Sequence, residues 1–100
     1  MPNTRIQEEV QSDVIAQLPK EFKVMLHNDD TTTFQFVIEL LEVVFHKDFE
    51  EAIMVTQLIH DTGIGIAGVY TREIAEEKTS EATKIARMNG FSLQVTFEEA

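Results

Sequence analysis

Asn28, Asp29 and Asp30 stand together in the chain, with His27 before them and Thr31, Thr32 and Thr33 after. Adjacent carboxylates can act as a general acid/base pair, ligate a metal or hold a cation. They can equally form a plain turn, because Asn and Asp side chains bond their own backbone. His60 falls on the apolar face of a later helix, where a histidine is more often a satisfied core residue than a ligand binder. A metal would have to come from His27, Asp29, Asp30 and His60. No HxxxH or HxxEH motif and no calcium-loop spacing supports one. The chain has no cysteine, and Ser12, Ser80 and Ser92 lie in no GxSxG context. These residue types argue against an enzyme and leave a cation-facing elbow or a simple turn.

The elements around the elbow decide what it can face. Val24 to Leu26 is a short apolar run between polar flanks, so Phe22–His27 reads as a strand. Thr32 is a good N-cap, and Gln35 three positions on completes a capping box for a helix over Thr33–Phe45. Strand, acidic elbow and capped helix follow in order, which puts two carboxylates and a carboxamide at the mouth of an apolar element. Only Gln35, Glu39 and Glu42 are polar on that helix, and its apolar residues cover roughly 220° of the circumference. Packing on one sheet needs little more than about 100°, so a second helix or a pocket must cover the remainder.

Asp48 and Glu51 form a second capping signature after a His46-Lys47 turn. The helix from Phe49 ends near Thr62, with Gly63 placed to take the left-handed conformation. Phe49, Ala52, Ile53, Val55 and Ile59 make its apolar face, with Thr56 and His60 inside it. The short connection makes the two helices antiparallel neighbours. Ile64–Tyr70 reads as a strand whose glycines signal close backbone approach or a bulge. Thr71 opens a third helix to Asn89, stopped by Gly90. Its inward stripe is Ile74, Ala75, Lys78, Ala82, Ile85, Ala86 and Asn89, and its outer face carries Glu73, Glu76, Glu77 and Lys84. Leu93–Phe97 alternates as a half-buried strand. The βααβαβ order predicts an α+β fold: a single compact domain with a three-stranded antiparallel sheet and three helices on one face.

One hundred residues suffice for one domain. Residues 1–19 read as a mobile tail, with Val10, Val14 and Leu18 spaced as a marginal helix, and residues 20–100 as the core domain. The formal net charge is −10, from 18 acidic against 8 basic residues. That balance argues against general nucleic-acid binding and suits cationic partners or plain solubility. No apolar run approaches membrane-spanning length, and the N-terminus lacks a signal-peptide layout. Together with the missing cysteines, this gives the expectation of a cytoplasmic protein with no membrane association.

The run Phe22-Lys-Val-Met-Leu-His-Asn-Asp-Asp-Thr-Thr-Thr-Phe-Gln-Phe-Val-Ile38 resembles the ClpS family of protease adaptors, whose hallmark is a strand ending in Asn-Asp-Asp followed by a helix bearing Phe-Val. The likeness extends through His60, Gly68-Val-Tyr-Thr71, Glu73, Ala75-Glu76, Lys78 and the last strand. It covers about residues 20–100 and rests on the pieces occurring in order at matching separations.

The resemblance implies a monomeric, non-enzymatic adaptor without a cofactor. Such adaptors bind substrates by a free N-terminal bulky hydrophobic residue (an N-degron: Phe, Tyr, Trp or Leu). They pass them to the N-terminal domain of a Clp AAA+ unfoldase, ClpA-like or ClpC-like. By this analogy Asn28, Asp29, Asp30 and His60 hold the α-amino group. Thr32, Phe34, Val37, Thr56, Ile59 and Leu93 form the side-chain pocket, Glu73 and Lys78 meet the unfoldase, and the tail serves delivery. The physics agrees, since an ammonium offers three donors to carboxylate and carboxamide oxygens.

Thr32-Thr33-Phe34 replaces the usual Thr-Pro-Met, and Thr56 stands where methionine is common. A rigid ring at the rim and a smaller wall should reshape the pocket and alter the ranking among Phe, Tyr, Trp and Leu. Two other readings compete. A docking domain like the C-terminal domain of the ribosomal stalk protein would have no reason to keep Asn28, Asp29 and His60 together. A hydrolase using Asp29, Asp30 and His60 would turn substrate over.

Overall fold

A computed structural model describes residues 18–100 of the chain, so most of the expected tail lies outside the described residues. The elements are β1 (Glu21–His27), α1 (Phe34–Val43), α2 (Phe49–Thr62), β2 (Ile64–Thr71), α3 (Arg72–Met88) and β3 (Gln94–Glu99). The sheet order is β2-β1-β3, and both pairings are antiparallel. The order and pairing match the expected α+β sandwich.

The register divides the sheet by face. Val24 and Leu26 of β1 and Val95 of β3 are buried in the core, with Phe22 and Phe97 packed against it. Lys23, Met25 and His27 alternate to the other face. A register shift between Val24 and Met25 marks a bulge in β2 beside Gly68. A Cβ at Gly68 would collide with the Tyr70 ring, and burial pushes the Tyr70 phenol up. Gly65 allows the other close approach, since a Cβ there would lie 2.6 Å from Ile59 Cγ1. α2 can therefore lie close against β2, as the strand glycines suggested.

Asp48 caps α2, its carboxylate accepting from the Glu51 N–H at 2.8 Å. Gly63, at φ 92°, ends the helix, its N–H donating to Ile59 O at 2.8 Å. α3 closes in a Schellman arrangement: Phe91 N–H donates to Ala86 O at 2.9 Å and Gly90 N–H to Arg87 O at 3.0 Å. Ala75, Ala82 and Ala86 are fully buried, so α3 reaches the sheet through its smallest side chains. Lys78 donates across to Val44 O, 2.7 Å away at the end of α1. No basic residue lies in the last turn of α1, so α3 supplies the cation that a helix C-terminus favours.

Three expectations need correcting. Thr33, not Thr32, caps α1, accepting from the Phe36 N–H at 3.1 Å. The Thr32 hydroxyl is committed to Asp29, and Gln35 reaches Glu39 instead of closing a capping box. Phe49 is 58% exposed at the first turn of α2 and stands outside the core cluster. Ile74 is 43% exposed and Asn89 is exposed as well, so the inward stripe is narrower and shorter than the sequence suggested.

Candidate functional site

The chain leaves β1 at His27 and turns sharply. Thr32 N–H bonds Asp29 O at 3.3 Å, closing a β-turn over 29–32, and Asn28 N–H bonds Gly63 O at 2.9 Å. The elbow is thus tied both to itself and to the end of α2. Inside it, the Thr31 and Thr32 hydroxyls donate to Asp29 Oδ2 at 2.7 and 2.6 Å. The Thr32 hydroxyl first, and then that of Thr31, holds the Asp29 carboxyl below its usual range. Both hydroxyl bonds fall on one oxygen of the carboxylate.

Asn28, Asp29, Asp30, Thr32, Phe34, Val37, Thr56, Ile59 and His60 surround one cavity of about 270 Å³. Asn28, Asp29, Asp30 and His60 supply its polar groups, and Val37 and Ile59 its buried apolar ones at 5% and 3% exposure. Thr56, 3% exposed, donates its hydroxyl to Ala52 O one turn back at 2.7 Å. That bond occupies the donor inside its own helix and suits the residue to an apolar wall. Phe34 and His60 meet edge-to-face, ring centroids 6.4 Å apart at 78°, so the two helices carrying the rim hold one another's rings.

Of the ten residues expected in the amine and side-chain sites, nine line this cavity. Leu93 does not. It is 1% exposed and belongs to the same core cluster as Val37 and Ile59. Arg87 donates to Phe91 O at 2.9 Å and to Leu93 O at 2.8 Å, which draws the α3–β3 connection inward. Glu73 is exposed on α3, whereas Lys78 is half-buried against α1. His27, a candidate ligand, bonds Thr96 Oγ1 at 2.8 Å on the opposite face of the sheet. No cluster of three or more His, Asp or Glu residues suited to a metal occurs among the described residues. Residue types alone did not single out Thr31 as a partner of Asp29. The signal was present in the Thr-Thr-Thr run, which offers hydroxyls two and three residues after the carboxylate.

A pocket with an anionic and amide mouth and an apolar interior defines a binding module for a ligand that joins a cation to a greasy group. The sequence comparisons fix the class. A family model described as ATP-dependent Clp protease adaptor protein ClpS matches residues 17–96. Three curated proteins called ATP-dependent Clp protease adapter protein ClpS align over most of their own lengths. The one from Clostridium acetobutylicum is 51% identical over 81% of this chain and 80% of its own. That from Nautilia profundicola is 48% identical over 90% and 93%, and that from Wolinella succinogenes 42% over 91% and 89%. Among solved structures, Agrobacterium tumefaciens ClpS2 bound to L-phenylalaninamide aligns with a TM-score of 0.80 at 38% identity. The alignment covers 83% of this chain and 100% of that one. The chain belongs to the ClpS family of Clp protease adaptors.

Proposed function

We propose that the cavity captures the N-terminal residue of a substrate protein, and that the protein delivers that substrate to a Clp AAA+ unfoldase without chemistry or a cofactor of its own. The observation that carries this reading is the pairing of Asn28, Asp29, Asp30 and His60 with Val37, Thr56 and Ile59 around one cavity. A free α-ammonium brings three donors. Asp29 Oδ1, the Asn28 carboxamide and the His60 ring offer acceptors, and Asp30 adds charge. Charge-assisted bonds of this kind exceed neutral ones in strength. The attached side chain enters the apolar interior, where burial returns about 25 cal/mol for each Å² removed from water. L-Phenylalaninamide, the ligand of the Agrobacterium tumefaciens relative, has this combination of free amine and bulky apolar side chain.

Phe34 and Thr56 set the preference among Phe, Tyr, Trp and Leu. Leu93 supports the wall from the core without touching the ligand. Glu73 and Lys78 face the N-terminal domain of the unfoldase, ClpA-like or ClpC-like, and the first 19 residues serve delivery from a monomeric 20–100 core. No helix among the described residues is long and apolar enough to cross a membrane, and a cytoplasmic site of action suits the role.

Fluorescence anisotropy of a labelled peptide beginning with Phe, beside its N-acetylated form, tests the reading. Acetylation removes the charge and two donors while leaving the ring. Binding should require the free amine and fall by about tenfold or more in Asp29→Ala or His60→Ala, a loss on the order of one charge-assisted bond. Equal affinity for both peptides would overturn the reading. Turnover of the peptide by purified protein would instead favour the hydrolase.

A further inference from the structure

The back of the sheet, away from the helices, is divided lengthwise. The register sets Lys23 beside Glu98 and Met25 beside Thr96, and places His27 at the same level as Gln94. On this side the polar groups satisfy each other: Lys23 pairs with Glu98 at 3.4 Å and His27 bonds Thr96 at 2.8 Å. On the β2 side, Val69, Ile66 and Ile64 lie opposite Lys23, Met25 and His27 in turn. They are 47%, 47% and 39% exposed. Among the described residues β2 is an edge strand, and Ile64–Thr71 carries no charged side chain in a chain that is 26% charged. An apolar edge of this sort is what a protein normally blunts with charge, because its free backbone groups template another strand. β3, the other edge, ends in Glu98 and Glu99.

The apolar strip starts at the pocket. Gly63 O accepts from Asn28 N–H, so the residue before Ile64 is bonded to the rim of the cavity, and His60 lies one turn earlier on α2. The rim of the cavity and the start of the strip are thus contiguous, so a polypeptide whose first residue occupies the cavity has Ile64 within reach. We propose that β2 and the strip over Ile64, Ile66 and Val69 form a second contact for the substrate, taking the extended, uncharged and apolar segment that follows the N-terminal residue. The assignment rests on the pocket reading above. Its physical content is strand addition: backbone bonds to the β2 edge supply affinity, and alternate side chains on the back face meet Ile64 and Ile66. The bulge at Gly68 interrupts the regular edge, so the contact is short.

The test compares the full-length protein with two Phe-initiated peptides of equal length, one continuing in alternating Val and Thr, the other in Gly and Ser. Burying about 40 Å² of additional apolar surface corresponds to about fivefold tighter binding of the Val/Thr peptide. That advantage should disappear in Ile66→Ser and shrink in Val69→Ser, with phenylalaninamide affinity unchanged in both variants. Equal binding of the two peptides, or an advantage that survives Ile66→Ser, overturns the proposal. Binding of the N-acetylated Val/Thr peptide as tightly as the free one would make the strip an independent site, which also overturns it. Sedimentation showing a dimer that Ile66→Ser dissociates would give the strip to a second copy. Resonances of residues 1–17 shifting in the free Ile66→Ser protein would give it to the chain's own leading segment. Either result overturns a substrate track. Failure of the pocket reading is visible separately, as loss of phenylalaninamide binding to the unaltered protein.

Discussion

Two threonine hydroxyls converge on one oxygen of Asp29, and this convergence favours the charged form of that carboxyl. The Thr32 and Thr31 bonds favour the carboxylate and lower its pKa. A depressed folded pKa adds stability that is present above the unfolded value and lost as pH falls through the folded one. At neutral pH the carboxylate is therefore fully formed. In Thr32→Val the largest cause of the shift is gone, and Asp29 should titrate at a higher pH than in the unaltered protein. Carbon-13 NMR of the Asp29 carboxyl would show it, and an unchanged midpoint would mean the hydroxyls do not hold the charge. The same bonds explain a sequence-level error. Thr32 satisfies every rule for an N-cap, but its side chain turns back to donate to Asp29 and the helix starts one residue later, where Thr33 accepts the capping bond. Local propensity lists what a side chain can do without saying which partner reaches it first.

At the level of elements, the pocket depends on how closely α2 approaches β2. Gly65 permits that approach, and the atom in the way of a larger residue is Ile59 Cγ1 at 2.6 Å. This carbon sits next to the Ile59 Cβ, so it cannot swing aside as a chain end could. Gly65→Ala should destabilise the fold by about 1–3 kcal/mol, the usual cost of overpacking. It should also weaken phenylalaninamide, because Ile59 lines the cavity. Urea unfolding beside ligand anisotropy checks both, and loss of stability without loss of affinity would separate Ile59 from the site. Lys78 makes a second link, from α3 to the last carbonyls of α1. Lys78→Ala should cost the isolated protein about 1 kcal/mol through that bond, whereas exposed Glu73→Ala should cost almost nothing. If urea unfolding finds the two variants equally stable, the Val44 bond is not a stabilising one. The excess apolar arc of α1 was covered only in part: the cavity and α2 take one side of it, while Val43 stays 67% exposed. Phe49 and Ile74 were misplaced because periodicity gives a direction around a helix and not how far the neighbouring sheet extends beneath it.

For the whole molecule, the sequence of elements and the antiparallel sheet were legible because Asp48, Gly63 and Gly90 stand at the helix ends, whereas the strand order β2-β1-β3 was not. The two-sidedness of the sheet back was not legible, because only the register shows that Ile64, Ile66 and Val69 share the open face. Charge is the other property of the whole chain. The net value of −10 is concentrated in part on the outward face of α3, where Glu73, Glu76, Glu77 and Glu81 border one shallow groove with Lys84. If this face meets the unfoldase, approach is steered by exposed charges. Such charges act mainly on the association rate and are screened beyond about 10 Å at 0.1 M salt. The proposed pocket differs, because an ammonium at hydrogen-bond distance from Asp29 would sit well inside a Debye length, where screening is weaker. Raising salt from about 0.05 to 0.5 M should therefore slow association with the isolated unfoldase N-terminal domain by about tenfold or more while leaving dissociation nearly constant. Phenylalaninamide affinity should change much less over the same range. Stopped-flow association beside equilibrium anisotropy separates the two. Salt-independent association would mean that α3's acidic face is only a solvated surface and that docking uses another side of the molecule.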